Sequence, residues 1–245
     1  MLEEKLLFTV SVRETPPTSC SYTVRTHLPF LKQRNPMRRD LRRGIHLSFI
    51  LAVAFSSSAG STTGGANARE AAQYEHQPPE QVMDSIGIEP GMVIAEVGAG
   101  RGRYVVPVAR RIGLEGKVYA NDIDEDRLED LESRCERDSI PNVTTILGEI
   151  EDPLLPARTM DLVYMINTYH HLERPVELME NIVPCLKPDG RLAIIEHDPI
   201  KVPSMGSHAT AKEIVIDQAE KAGFKLERML TFLSRDNIYI FSYRE

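Results

Sequence analysis

Cysteine is scarce in this chain. There are three, Cys20, Cys135 and Cys185, with no CxxC pair and no Cys/His spacing of the kind that holds a metal. That excludes a cysteine zinc site, and Cys135 and Cys185, both inside helical patterns, read as small core residues. A long apolar run is also missing, because a bilayer span needs about 20 residues, so no stable membrane span is expected. Positive charge is short as well. Residues 69–245 carry 20 Lys/Arg against 32 Asp/Glu, within an overall formal charge of −7. Phosphate backbones demand clustered Lys/Arg. An acidic body therefore argues against nucleic acid as a partner and leaves a small molecule as the expected substrate. The oligomeric state is not legible.

What the chain does have begins with its leader. Residues 37–68 show the three parts of an export signal. Arg38, Arg39, Arg42 and Arg43 form a basic start, Ile45 to Phe55 an apolar run, and Ala66-Asn67-Ala68 a small-residue cleavage pattern. Residues 1–36 lack sustained periodicity, and they read as an upstream extension before a true start at Met37. The expectation is export, periplasmic or secreted, after cleavage near Ala68, leaving a domain over 69–245. A buried N-terminal helix in a cytoplasmic protein is the competing reading. Export also raises the question of how a cytoplasmic cofactor would be supplied.

From residue 78 strand and helix signals alternate. Strands are expected at 92–97, 117–123, 143–147, 161–167 and 191–196. Helices are expected at 79–86, 104–112, 125–137 and 175–186, with a turn at Pro188-Asp189-Gly190. Such alternation means a parallel sheet with helices on both faces, and the near-continuous apolar strands fit burial on both faces. After a helix at 210–222, the runs 226–233 and 238–243 are separated by four residues. That gap is too short for a crossover, so they must pair as an antiparallel hairpin. The fold class is α/β: a doubly wound, mostly parallel, seven-stranded Rossmann-like sheet ending in that hairpin.

Between the first strand and its helix lies Glu96-Val97-Gly98-Ala99-Gly100-Arg101-Gly102. Glycines let a backbone turn tightly and approach a ligand, at the edge where doubly wound sheets bind one. The G-x-G-x-G spacing preceded by an acid resembles motif I of class I S-adenosylmethionine (SAM)-dependent methyltransferases. The run Asp161 to Leu172 and the segment Leu186 to Leu192 are similar to the small-molecule, ubiquinone/menaquinone-biosynthesis type. The resemblance covers roughly residues 78–245. It implies SAM as cofactor, with Gly98, Gly100 and Gly102 wrapping its methionine and ribose part and Glu96 organising contacts to its amino group. It further implies Asp122 on the ribose, with Asp124 as competitor, and Glu149 at the adenine amino group, where an exposed loop acid is the alternative. Asn167 is grouped with these donor-site residues.

The methyl acceptor is left open. No D/N-P-P-Y/F follows the fourth strand, which argues against adenine or glutamine amino methylation, and no cysteine lies there to attack cytosine. His170, His171 and His197, with His208 as a further candidate, should converge where the fourth and fifth strands lie side by side. A histidine there could take a proton from the acceptor, although sheet-edge packing is an equally ordinary role. His170, His197 and Asp198 are the residue types for a metal site, but the expectation is no metal. The rival functional reading is a non-catalytic SAM-binding sensor or accessory module.

Overall fold

A computed structural model describes residues 63–243, with side-chain surroundings from Ala68 onward. The expected upstream extension and most of the expected signal segment lie outside the described residues. The first described element, α1 (Thr63–Tyr74), spans the expected cleavage junction.

The order that follows is α2 (Pro79–Ile86), β1 (Val93–Val97), α3 (Val105–Ile112), β2 (Lys117–Asp122), α4 (Glu125–Arg137) and β3 (Val143–Leu147). Then come β4 (Met160–Ile166), α5 (Pro175–Ile182), β5 (Leu186–His197), α6 (Lys212–Lys221), β6 (Phe224–Leu230) and β7 (Asp236–Tyr243). The seven strands form one sheet in the order β3-β2-β1-β4-β5-β7-β6. β1 to β5 run parallel, and β7 runs antiparallel to both β5 and β6. The doubly wound sheet with its terminal hairpin is therefore the observed fold.

Helices bury the two sheet faces as separate cores. One contains Ile94, Tyr104, Val118, Leu131 and Cys135; the other contains Val163, Met179, Cys185, Leu192 and Phe241. The split follows from strand geometry, since alternate residues of a strand point to opposite faces. It also places Cys135 and Cys185 on opposite sides, both buried and free.

Several boundaries differ from expectation. The helix expected to reach residue 186 ends at Ile182 and continues as a 3₁₀ turn, Val183–Cys185. Pro184 is the cause, because it has no N–H for a helical bond and disfavours the helical conformation of the residue before it. The Pro188-Asp189-Gly190 turn lies inside β5 as a bulge, with pairing jumping from Met160–Leu186 to Leu162–Arg191. Gly190 is required there, as a Cβ would stand 2.8 Å from the Met160 carbonyl oxygen. The hairpin strands begin two residues earlier than expected, at Phe224 and Asp236.

Candidate active site

The carboxyl ends of β1, β2 and β4 open onto a cavity of about 1090 Å³. Its position follows from the sheet order. β1 lies between β2 and β4, and at the β1–β4 step the chain's winding reverses and a crevice forms. The glycine loop after β1 forms its floor. Gly98 has φ +76° and Gly100 φ +53°, left-handed conformations that glycine adopts without strain. The amides of Gly98 and Ala99 both donate to the Asn121 carbonyl oxygen at 2.9 Å, which ties the loop to the end of β2.

Asp122 is buried at that strand end, and its Oδ2 accepts from the Gly100 amide at 2.8 Å. Asp124, the competing acid, also lines the cavity and caps α4, accepting from the Arg127 amide at 3.2 Å and pairing with the Arg127 side chain at 2.9 Å. Glu96 is 4 % exposed, and its Oε2 accepts from the Tyr164 hydroxyl at 2.8 Å. Burial pushes its carboxyl up to about 8, against the opposing pull of the Tyr164 hydrogen bond and the Arg103 charge.

Glu96, Gly98, Gly100, Asp122, Glu149 and Asn167 all line the cavity. Gly102 is not among its lining residues. A Cβ at its φ of +78° would lie 2.3 Å from Leu131 Cδ1 of α4, so glycine here makes room for that side chain. Glu149 is exposed on the rim beside Ile150. Asn167 holds φ +52° and bonds Gln77, with Nε2 of Gln77 donating to its Oδ1 at 2.9 Å. Gln77 in turn accepts from Arg103 Nη1 at 2.8 Å. Neither Gln77 nor Arg103 stood out in the sequence, because each acts through a partner far along the chain and neither sits in a local pattern. Asn121 was missed too. Its buried amide donates to the Pro153 carbonyl at 2.9 Å and fixes the loop after β3.

The histidines do converge. His170 and His171 sit on a 3₁₀ turn after β4, and ring centroids of His170 lie 4.1 Å from His171, 5.4 Å from His208 and 6.0 Å from His197. His171 lines the cavity, whereas His170 and His197 are not among its lining residues. Each of these two has a buried carboxyl at its Nδ1: Glu196 Oε1 is 2.8 Å from His170, and Asp236 Oδ1 is 2.6 Å from His197. The second pair is close but not aligned as a hydrogen bond. His171 is held below the ordinary histidine range by partial burial, then by the neighbouring His170 and His208. Asp198 does not join a metal set with His170 and His197; its carboxyl accepts from the Ile200 amide and the Asn237 side chain, each at 2.9 Å.

With this geometry in place, comparison with known proteins is direct. Residues 94–190, which contain the glycine loop, Glu96, Asp122, His170 and His171, match the family model described as a methyltransferase domain. The match supports a class I SAM-dependent methyltransferase domain over this span. The chain is similar in structure to a SAM-dependent methyltransferase from Aquifex aeolicus, with a TM-score of 0.62 and 26 % identity over 66 % of this chain and 88 % of the other. Nocamycin O-methyltransferase of Saccharothrix syringae is 27 % identical over 51 % of this chain and 44 % of its own length. A ubiquinone/menaquinone biosynthesis C-methyltransferase of Hydrogenovibrio crunogenus is 29 % identical over 48 % of this chain and 46 % of its own. The chain spans less than half the length of these two curated relatives.

Proposed function

We propose that the cavity binds SAM and that the chain transfers its methyl group to a small-molecule acceptor held at the histidine end. The observation that carries this reading is the joint placement of Glu96, the Gly98–Gly100 backbone and Asp122 around one cavity at the carboxyl edge of the sheet. Glu96 would meet the cofactor's ammonium, Asp122 its ribose hydroxyls, and Glu149 with Ile150 its adenine. Bound there, SAM would supply an electrophilic methyl group: an acceptor electron pair would bond to the methyl carbon, the carbon–sulfur electrons would stay on sulfur as a neutral thioether, and the acceptor's proton would pass to a base or to water. Alignment of the acceptor can supply much of the rate, since positioned reactants reach high effective molarities. An O-methyltransferase and a C-methyltransferase among the relatives support a small acceptor without choosing its atom.

Export remains part of this proposal. Cleavage near Ala68 would leave Glu70, whose two oxygens receive Arg134 at 2.7 and 3.0 Å, and Tyr74, whose hydroxyl donates to the Arg103 carbonyl at 2.6 Å. The anchors of α1 on the domain would thus be retained.

The deciding experiment is calorimetric titration with SAM, its demethylated product and NAD, beside the Asp122→Ala variant. Binding of SAM and product, weakened about 10–100-fold in the variant as expected for loss of a charged hydrogen-bonding partner, supports the reading. Binding of NAD, or of none of the three, overturns it.

A further inference from the structure

Four of the chain's seven histidines meet at one place, a concentration that packing alone does not call for in an acidic domain. In three of them, His170, His171 and His208, one ring nitrogen each can be chosen so that all three lie within 4.8 Å of one another. They come from two separate segments, the turn after β4 and the 3₁₀ stretch Pro203–His208 after β5. We propose that these three histidines, of which His171 lines the cavity, form a site for a divalent transition-metal ion of the zinc class. The inference goes beyond methyl transfer and does not depend on it.

Three physical arguments carry it. The first is ligand chemistry: imidazole suits zinc, copper, nickel and iron rather than magnesium or calcium. Three histidines leave a fourth position open, as catalytic zinc sites do. The second is orientation. Glu196 Oε1 lies 2.8 Å from His170 Nδ1, which leaves Nε2 of that ring for a metal, the carboxylate–histidine–metal arrangement that fixes ligating rings. The third is charge. Glu196 and Asp236 are fully buried, and among the described residues each has a histidine, not a lysine or arginine, as its ion-pair partner. Glu196 Oε2 has no hydrogen-bond partner at all. Lys201, the nearby cation, spends its ammonium on the carbonyls of Thr231, Leu233 and Asp236. A buried carboxyl left unpaired is costly, and a cation on His170 would offset it.

The ring nitrogens need a modest approach to close on an ion. Nitrogens about 2.05 Å from a tetrahedral zinc lie roughly 3.3 Å apart. His171 and His208 are exposed and free to turn, and His208 follows Gly206, whose backbone (φ 55°, ψ −121°) breaks its 3₁₀ segment. His197 stands outside the set.

The test uses the full chain without an affinity tag, titrated with Co²⁺ and Zn²⁺. The expected result is one ion per chain, with visible Co²⁺ bands of tetrahedral type that Zn²⁺ displaces. His208→Ala, an exposed position, should weaken binding at least about tenfold. Glu196→Gln should weaken it about 10–100-fold, as loss of a metal ligand's hydrogen-bonded carboxylate does. Absence of stoichiometric binding, or binding that both variants leave unchanged, overturns the site. SAM titration of the same wild-type preparation separates the two conclusions: SAM binding without metal binding removes only this inference, and metal binding without SAM removes only the proposed function.

Discussion

Gly98 and Gly100 are two residues apart in one loop, both at left-handed φ, yet substitution should separate them. At Gly98 an added Cβ would lie 2.3 Å from Thr168 Cγ2 and 2.4 Å from its Oγ1. At Gly100 nothing stands within 4 Å. A left-handed conformation costs a non-glycine residue about 1–2 kcal/mol, and a forced contact in a packed region adds about 1–3 kcal/mol. Gly98→Ala should therefore destabilise the domain by about 2–5 kcal/mol, and Gly100→Ala by only about 1–2 kcal/mol. Most of the steric share is relieved by Thr168→Ala, which removes the two nearest atoms and leaves its Cβ at 2.9 Å. In urea unfolding, a double-mutant cycle of Gly98→Ala with Thr168→Ala should show a favourable coupling of about 1–2 kcal/mol. Gly100→Ala with Thr168→Ala should be additive within about 0.5 kcal/mol. Gly100→Ala should nevertheless weaken SAM, because its new methyl group would occupy space on the cavity wall. Equal costs for the two glycine substitutions, or additivity in both cycles, would refute the assigned contact between the glycine loop and the turn after β4.

Further outcomes concern the acids, the buried amide and the thiols. Glu96 has its folded value raised from 4.5 to about 8, so the folded state holds a proton that the unfolded state has released. Its contribution to stability is complete below about pH 4.5 and is lost as pH rises through about 8. Glu96→Gln should remove that slope from unfolding measured across the range. If a SAM ammonium requires the ionised carboxyl, affinity should also rise with pH up to about 8. Calorimetry in buffers of different ionisation enthalpy should then detect proton release in the wild type and none in Glu96→Gln. Asn121→Ala leaves the Ile146 and Pro153 carbonyls without their donor. It should cost about 1–3 kcal/mol and speed amide exchange in the loop after β3; unchanged exchange there would refute its tethering role. Cys135 and Cys185 belong to opposite cores and should yield no mutual disulfide in non-reducing peptide mapping. Burial pushes the Cys185 thiol up to about 11, so it should alkylate only on unfolding.

Much of this was legible in the sequence because it rests on local periodicity. Apolar strands alternating with helical patterns, a glycine loop bounded by Glu96 and Asp122, and two final strands too close for a crossover fix a doubly wound sheet with a hairpin. These signals rest on single elements and the turns that join them, the range over which side-chain period and turn chemistry are set by the chain itself. Where a local breaker competed with that pattern, the outcome shifted. Pro184 turned the end of α5 into 3₁₀ geometry, and Gly190 let β5 begin before its expected turn.

The tertiary structure alone decided which residues work together. Gly102 reads in the sequence as a third ligand-binding glycine, and the fold adds that it makes room for Leu131. Asp124 differed from Asp122 only once one capped a helix and the other held the glycine loop. Gln77 and Asn167 are 90 positions apart, and His170 and Glu196 are 26 apart. His208 met His170 and His171 only through the path of the chain after β5. Such pairings depend on which side chains a sheet edge gathers in three dimensions, and no spacing along a single strand or helix encodes that.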